Sequence, residues 1–333
     1  MISREIPEIA EKYSLDDFKR AKMLVISRNF GVTMNGKETN IQVPLADMFN
    51  TETPKNALWY YDDSRHGFIV EAYADVPKGG QLFDSYGKKC NYRFFLNYAF
   101  INLQKDGENP ENEFPLFIGL DAEDPHHDVK KEVFLDGMET TVTEFRVNGH
   151  MKEPVMEGFL SWIRFVVYDG DLDDLYVRVT DAFEEAKKAA EAAGKKKWGS
   201  IGDYIKPIDL HTEIRAWRKI HQVATEALAK YPTTLEEDKS LLASEATAKP
   251  ADRTLTYNTS NCVKLRVGEK KILHYLADTA TALVTIGQME TRKQAIGAMM
   301  KNHKIFKPSM NYVKGVFIPL IPEEGNTYKH DEL

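Results

Sequence analysis

The chain has 333 residues, of which 42% are apolar and 29% charged, an ordinary globular composition that excludes disorder as the main state and suits two or three domains of roughly 100–200 residues each. Its 44 Lys and Arg residues against 51 Asp and Glu give a net charge of −7, which removes any general attraction to nucleic-acid phosphates or anionic lipid and favours a protein partner. No apolar run nears the ~18–20 residues of a bilayer-spanning helix, and the two cysteines, Cys90 and Cys262, exclude a disulfide framework or a Cys-rich zinc site.

In chain order, Ser14 is placed to cap a helix over residues 15–28, where Leu15, Phe18, Ala21, Met23, Leu24 and Val25 fall at helical spacing. Short β-type runs follow from Val43 to Gly87. Residues 57–61 and 68–73, separated by the turn-rich 62–67, read as a hairpin, and 76–80 reads as a further turn. Helical spacing returns over 91–100 with Phe94, Phe95, Tyr98 and Ala99. Residues 1–105 are therefore expected to be a strand-rich module, and 106–150 a polar connector with short strands near 116–120 and 140–147. From 151 to 325 the pattern is helical. Val155, Phe159, Trp162, Ile163 and Val166 form one apolar stripe, and Leu210, Ile214, Trp217, His221, Ala224 and Leu228 form another. Residues 183–193 read as a solvated helix ending at Gly194, with Lys195, Lys196 and Lys197 as a C-terminal charge cluster. Further helix is expected over 261–303, broken near Gly287, before a polar tail at 326–333. His221 on its apolar stripe reads as a core histidine, and His126-His127 as a polar loop without a third ligand at metal spacing, so no metal is expected.

Ser27-Arg28-Asn29-Phe30, Pro44-Leu45-Ala46-Asp47-Met48-Phe49-Asn50, Tyr86-Gly87 with Asn91, and Asn97-Tyr98-Ala99-Phe100 follow one another in the order and spacing of SET-domain methyltransferases. The chain resembles the Rubisco large-subunit lysine methyltransferase branch, whose SET module is followed by a helical substrate-binding domain. Residues 230–238 (Lys-Tyr-Pro-Thr-Thr-Leu-Glu-Glu-Asp) and 268–273 (Gly-Glu-Lys-Lys-Ile-Leu) are similar to two recurrent segments of that domain. The resemblance implies an α+β fold, with a strand-rich SET module threaded as a pseudoknot and then a mostly α-helical substrate-binding domain. It implies a protein-lysine N-methyltransferase that uses S-adenosylmethionine on a protein substrate. Histidine methylation is a close variant, and a catalytically inactive SET-like interaction module is the alternative.

By resemblance, Tyr86 and Tyr98 are the catalytic pair. Arg28, Asp47, Met48, Phe49, Asn50, Thr51, Tyr98, Ala99 and Phe100 contact the cofactor, and Arg28 and Tyr86 also face the substrate. Such a channel has a physical logic, because a lysine amine of pKa ~10.4 must lose its proton before it attacks, and dry aromatic walls disfavour the ammonium. Taken alone, each tyrosine reads as a core or rim residue, Asn50 as a turn former and Arg28 as a helix C-terminal cation. The chain also departs from the family. Thr51 stands where His is usual, which changes one cofactor hydrogen bond, and Ala99 stands where Gly is usual, which is expected to crowd the backbone. No Gly-x-Gly turn occurs anywhere in it, so half of the cofactor pocket is expected to be missing. Two readings stay open, a piece of a longer active protein or a scaffold that has lost methyl transfer. The resemblance places the protein in cytoplasm, nucleus or plastid, and the terminal His330-Asp331-Glu332-Leu333 acts as an endoplasmic-reticulum address only behind a signal peptide. Assembly state is not encoded in any of these patterns.

Overall fold

The computed structural model describes residues 11–103, 107–135, 141–149, 155–192 and 205–325. Gly194, the lysines at 195–197 and the tail at 326–333 lie outside the described residues. The chain divides into two compact units, one of Met1–Glu111 with Tyr257–Asn261 and one of Asn112–Thr256 with Cys262–Leu333.

The first unit opens on helix α1, Leu15–Ser27, which begins in a capping box. Ser14 Oγ accepts the Asp17 N–H at 3.2 Å and the Asp17 carboxylate accepts the Ser14 N–H at 3.0 Å. Strands β1, Asn29–Met34, and β2, Lys37–Gln42, form an antiparallel hairpin closed by Asn35-Gly36, both with positive φ (49° and 74°), the two-residue turn whose twist matches its strands. A second hairpin joins β4, Ala57–Asp62, to β5, Gly67–Ala72. The Asp62 carboxylate accepts from the Ser64 N–H at 2.9 Å and its hydroxyl at 2.6 Å, which fixes the turn. Phe30 meets Trp59 and Phe68 edge-on at 5.0 Å and seals a small core with Val32 and Ala46.

Between and beyond these hairpins lie β3, Asn50–Thr51, and β6, Phe83–Asp84, which pair in parallel with Asn50 opposite Phe83 and Thr51 opposite Asp84. A parallel pair needs a long crossover, and the second hairpin supplies it. Helix α2, Asn91–Tyr98, follows and stops at Ala99. The stretch expected to be a plain polar connector is anchored, because Asn109 is buried and its Nδ2 donates to Lys89 O at 3.0 Å and Asn91 Oδ1 at 3.1 Å.

The second unit carries the antiparallel pair β7, Glu113–Gly119, and β8, Val142–Asn148, then helices α3, Val155–Val167, α4, Leu172–Ala192, α5, Leu210–Ala229, α6, Leu235–Thr247, α7, Tyr257–Gly287, whose first five residues are grouped with the first unit, and α8, Arg292–Lys301. The stripes of α3 and α5 are core as expected, with Phe159, Trp162, Ile163, Ile214 and Trp217 fully buried. His221 is a correction, since it is exposed and Ile220 and Ala224 fill the inner face. Gly287 ends α7 where the expected break falls. A methyl group there would lie 2.9 Å from the Ile214 side chain, which would have to shift to admit it. No described helix is long and apolar enough to cross a membrane.

Two polar networks are sealed inside this unit. Lys270 Nζ, 1% exposed at its side chain, donates to Asp238 Oδ2 at 2.6 Å, and Arg266 reaches Asp238 Oδ1 at 2.6 Å. Asp238 lies in the capping-box turn of α6, where Thr234 accepts the Glu237 N–H. The second network joins Arg164, Glu213, Tyr312 and Trp217. Burial, then Glu213, raises the Tyr312 pKa, and burial, then the bond to Glu269, raises that of Tyr231. Groups of this kind keep their full contribution below the ordinary tyrosine value of ~10 and lose it as pH rises toward the folded value. Urea midpoints should therefore fall steeply above pH ~10, and Tyr312→Phe should flatten that slope.

Candidate functional site

The parallel bridge between β3 and β6 brings two distant segments together. The Tyr86 N–H donates to Thr51 Oγ1 at 3.1 Å, and Tyr86 Oη donates to the Phe49 carbonyl at 2.7 Å. Residues 36 or so positions apart thus share one centre, the threading that the resemblance implies. From the end of α2, the Tyr98 ring reaches Tyr86 with centroids 4.7 Å apart and planes at 33°. Phe94 and Phe100 pack behind, 5.3 Å from each other. Across from them, the Arg28 guanidinium at the end of α1 donates to the Asp47 carbonyl at 2.8 Å and lies 3.7 Å from the Asp47 carboxylate.

These groups line a cleft of ≈ 460 Å³ in the first unit, within the ~300–1,000 Å³ of small-molecule sites. Arg28, Asp47, Phe49, Tyr86 and Tyr98 line it. Met48, Asn50, Thr51, Ala99 and Phe100 do not. Asn50 and Met48 are exposed. Thr51 is half-buried and its hydroxyl accepts the Tyr86 N–H, which staples the bridge. Ala99 is exposed and caps α2 at φ 61°, a left-handed conformation that suits glycine better than alanine. Ala99→Gly should raise stability by about 0.5–1 kcal/mol in urea unfolding.

The two tyrosines differ in their hydroxyls. Tyr86 is tied to Phe49, whereas the Tyr98 hydroxyl has no hydrogen-bond partner among the described residues. Burial raises both pKa values, with the Asp84 charge adding to each. Both stay neutral donors at physiological pH. The lining also holds Asp84, Trp59 and Lys89, which the sequence motifs do not single out. Asp84 sits two residues before Tyr86, and both line the cleft. Lys89 donates to the Tyr86 carbonyl, and burial pushes its pKa down. The donor set suits a sulfonium cofactor, with phenol and carbonyl oxygens beside aromatic walls and a cation at Arg28 for a carboxylate.

Comparison with known proteins places these features in a family context. Residues 121–273 match the family model described as Rubisco LSMT substrate-binding. The chain is 24% identical over 300 residues to an actin-histidine N-methyltransferase of Gallus gallus, covering 89% of this chain and 45% of that protein. It is also 24% identical over 278 residues to the Homo sapiens protein of the same name, covering 82% and 42%. It thus spans less than half the length of these curated relatives. Among solved structures, the SET domain of LSMT bound to MeLysine and AdoHcy superposes with a TM-score of 0.58 at 21% identity, covering 86% of this chain and 60% of that one. Rubisco LSMT bound to AdoMet gives 0.57 at 21% identity, with the same coverage. The chain therefore shares the α+β fold of the LSMT SET-domain structures, and its residues 121–273 match the Rubisco LSMT substrate-binding model.

Proposed function

We propose that the chain is an S-adenosylmethionine-dependent protein methyltransferase that acts on a side-chain nitrogen, lysine or histidine. One observation carries this reading: Tyr86 and Tyr98 face each other at 4.7 Å in the cleft, one hydroxyl anchored to Phe49 and the other open. S-adenosylmethionine, when bound, supplies a methyl group on a cationic sulfur. Arg28, Asp47, Phe49 and Tyr98 would hold it. The tyrosine rings exclude water from an entering side chain and so favour its neutral, nucleophilic form. The Phe49 carbonyl, already an acceptor for Tyr86, orients that ring, and the open Tyr98 hydroxyl is free to meet partial positive charge at the reacting centre. The names of the relatives, actin-histidine N-methyltransferases, support a histidine target, and the LSMT fold supports lysine equally. The residues 121–273 that match the substrate-binding model would grip the protein substrate.

The second reading is an interaction module without catalysis. It is favoured by the exposure of Asn50 and Ala99 away from the cleft. Calorimetric titration with S-adenosylmethionine separates the two: saturable binding supports the enzyme, and its absence leaves the module.

A further inference from the structure

Asp84 is a buried carboxylate on the wall of the cleft, 3% exposed. Its Oδ2 accepts the Trp59 indole N–H at 3.2 Å, but its Oδ1 is enclosed and has no partner among the described residues. A buried acceptor left empty is costly in a folded protein, and such groups are retained where a ligand completes them. The surroundings say what that ligand must offer. Asp84 lines the same cleft as Tyr86 and Tyr98, its charge acts on both tyrosines, and burial raises its own pKa despite the Trp59 bond. A proton-bearing nitrogen between aromatic rings is the complement of such a site.

We propose that Asp84 is a specificity-determining residue that accepts the N–H of an incoming imidazole side chain. The inference rests on the methyltransferase reading and deepens it. A neutral imidazole has two distinct nitrogens. When one donates its N–H to Asp84, the tautomer is fixed and the other keeps its lone pair; as that nitrogen took the methyl group, the S–C bond of the sulfonium would break, S-adenosylhomocysteine would leave, and the positive charge would pass to the imidazolium, whose remaining N–H proton the Asp84 carboxylate is placed to take. An aliphatic amine in the same place is held as its ammonium, with no lone pair to use. The carboxylate therefore selects histidine over lysine.

The test uses 4-methylimidazole as the side-chain probe, titrated by NMR into the full chain and into Asp84→Asn, which retains an acceptor for Trp59 but replaces the free oxygen with a donor. Affinity should fall about ten-fold or more in the variant, and Asp84→Leu should give the same loss. Equal affinity in the parent and Asp84→Asn overturns the proposal, as does a loss of S-adenosylmethionine binding with 4-methylimidazole unaffected, which would assign Asp84 to the cofactor. With labelled S-adenosylmethionine, a degenerate peptide pool centred on histidine should be methylated in preference to one centred on lysine, and the ratio should fall about ten-fold in Asp84→Asn. An unchanged ratio counts against the role. Failure of the methyltransferase reading is visible separately, as absent S-adenosylmethionine binding while the probe still distinguishes the two chains.

Discussion

Tyr98→Phe should reduce methyl transfer by about 10²–10³-fold, the usual consequence of removing one preorganised polar group from a reacting centre, while leaving the melting temperature nearly unchanged. The reason is in the hydroxyls. Tyr98 makes no hydrogen bond among the described residues, so its removal leaves no protein group unsatisfied, and its ring still packs against Tyr86 at 4.7 Å and Phe94 at 6.0 Å. Tyr86→Phe is the contrasting case. Its hydroxyl holds the Phe49 carbonyl across the β3–β6 bridge, so its loss should cost about 1 kcal/mol of stability as well as activity. Single-turnover transfer measured beside urea unfolding separates the two variants. Equal activity in Tyr98→Phe and the parent would remove Tyr98 from the chemistry.

Much of this site was legible because chemistry and fold converge on a few side chains. The pattern of Tyr86-Gly87 and Tyr98 located two rings that the structure does bring face to face, and Arg28 and Asp47, far apart in sequence, do meet. What could not be read was the use to which neighbouring atoms are put. The sequence around Thr51 gives no sign that its hydroxyl accepts a backbone N–H, which only the parallel bridge brings near. Nor does it show that Ala99 takes the left-handed conformation at the end of its helix. Asp84 gives no motif at all, since a carboxylate in a short strand is unremarkable until the fold brings the Trp59 indole to it on the wall of the cleft. The first hairpin is a different kind of miss. Its Asn35-Gly36 turn is a local signal that needed no tertiary information. In the helical part, the stripe through α5 runs by way of Ile220 rather than His221, because a 3.6-residue period allows either neighbour until the facing helix is known.

The largest effect on folding should come from Glu213→Ala, a loss of about 3–5 kcal/mol. Glu213 and Arg164 are almost completely buried, with side-chain exposures of 0% and 5%, and the guanidinium contacts both carboxylate oxygens while its Nη1 also donates to Ile205 O at 3.1 Å. Tyr312 donates its hydroxyl to the same carboxylate and accepts the Trp217 indole N–H at 2.8 Å. Removing the carboxylate therefore strands a cation and a phenol in the interior of the second unit. Removing both charges is a different matter, since an apolar pair of similar volume leaves neither desolvated ion behind. Arg164→Met with Glu213→Leu should recover most of the loss, so that a double-mutant cycle by urea denaturation returns a coupling of several kcal/mol. If the single and double variants unfold at the same urea concentration, the cost lies in packing around Trp217 and Tyr312, and the ion pair itself contributes little.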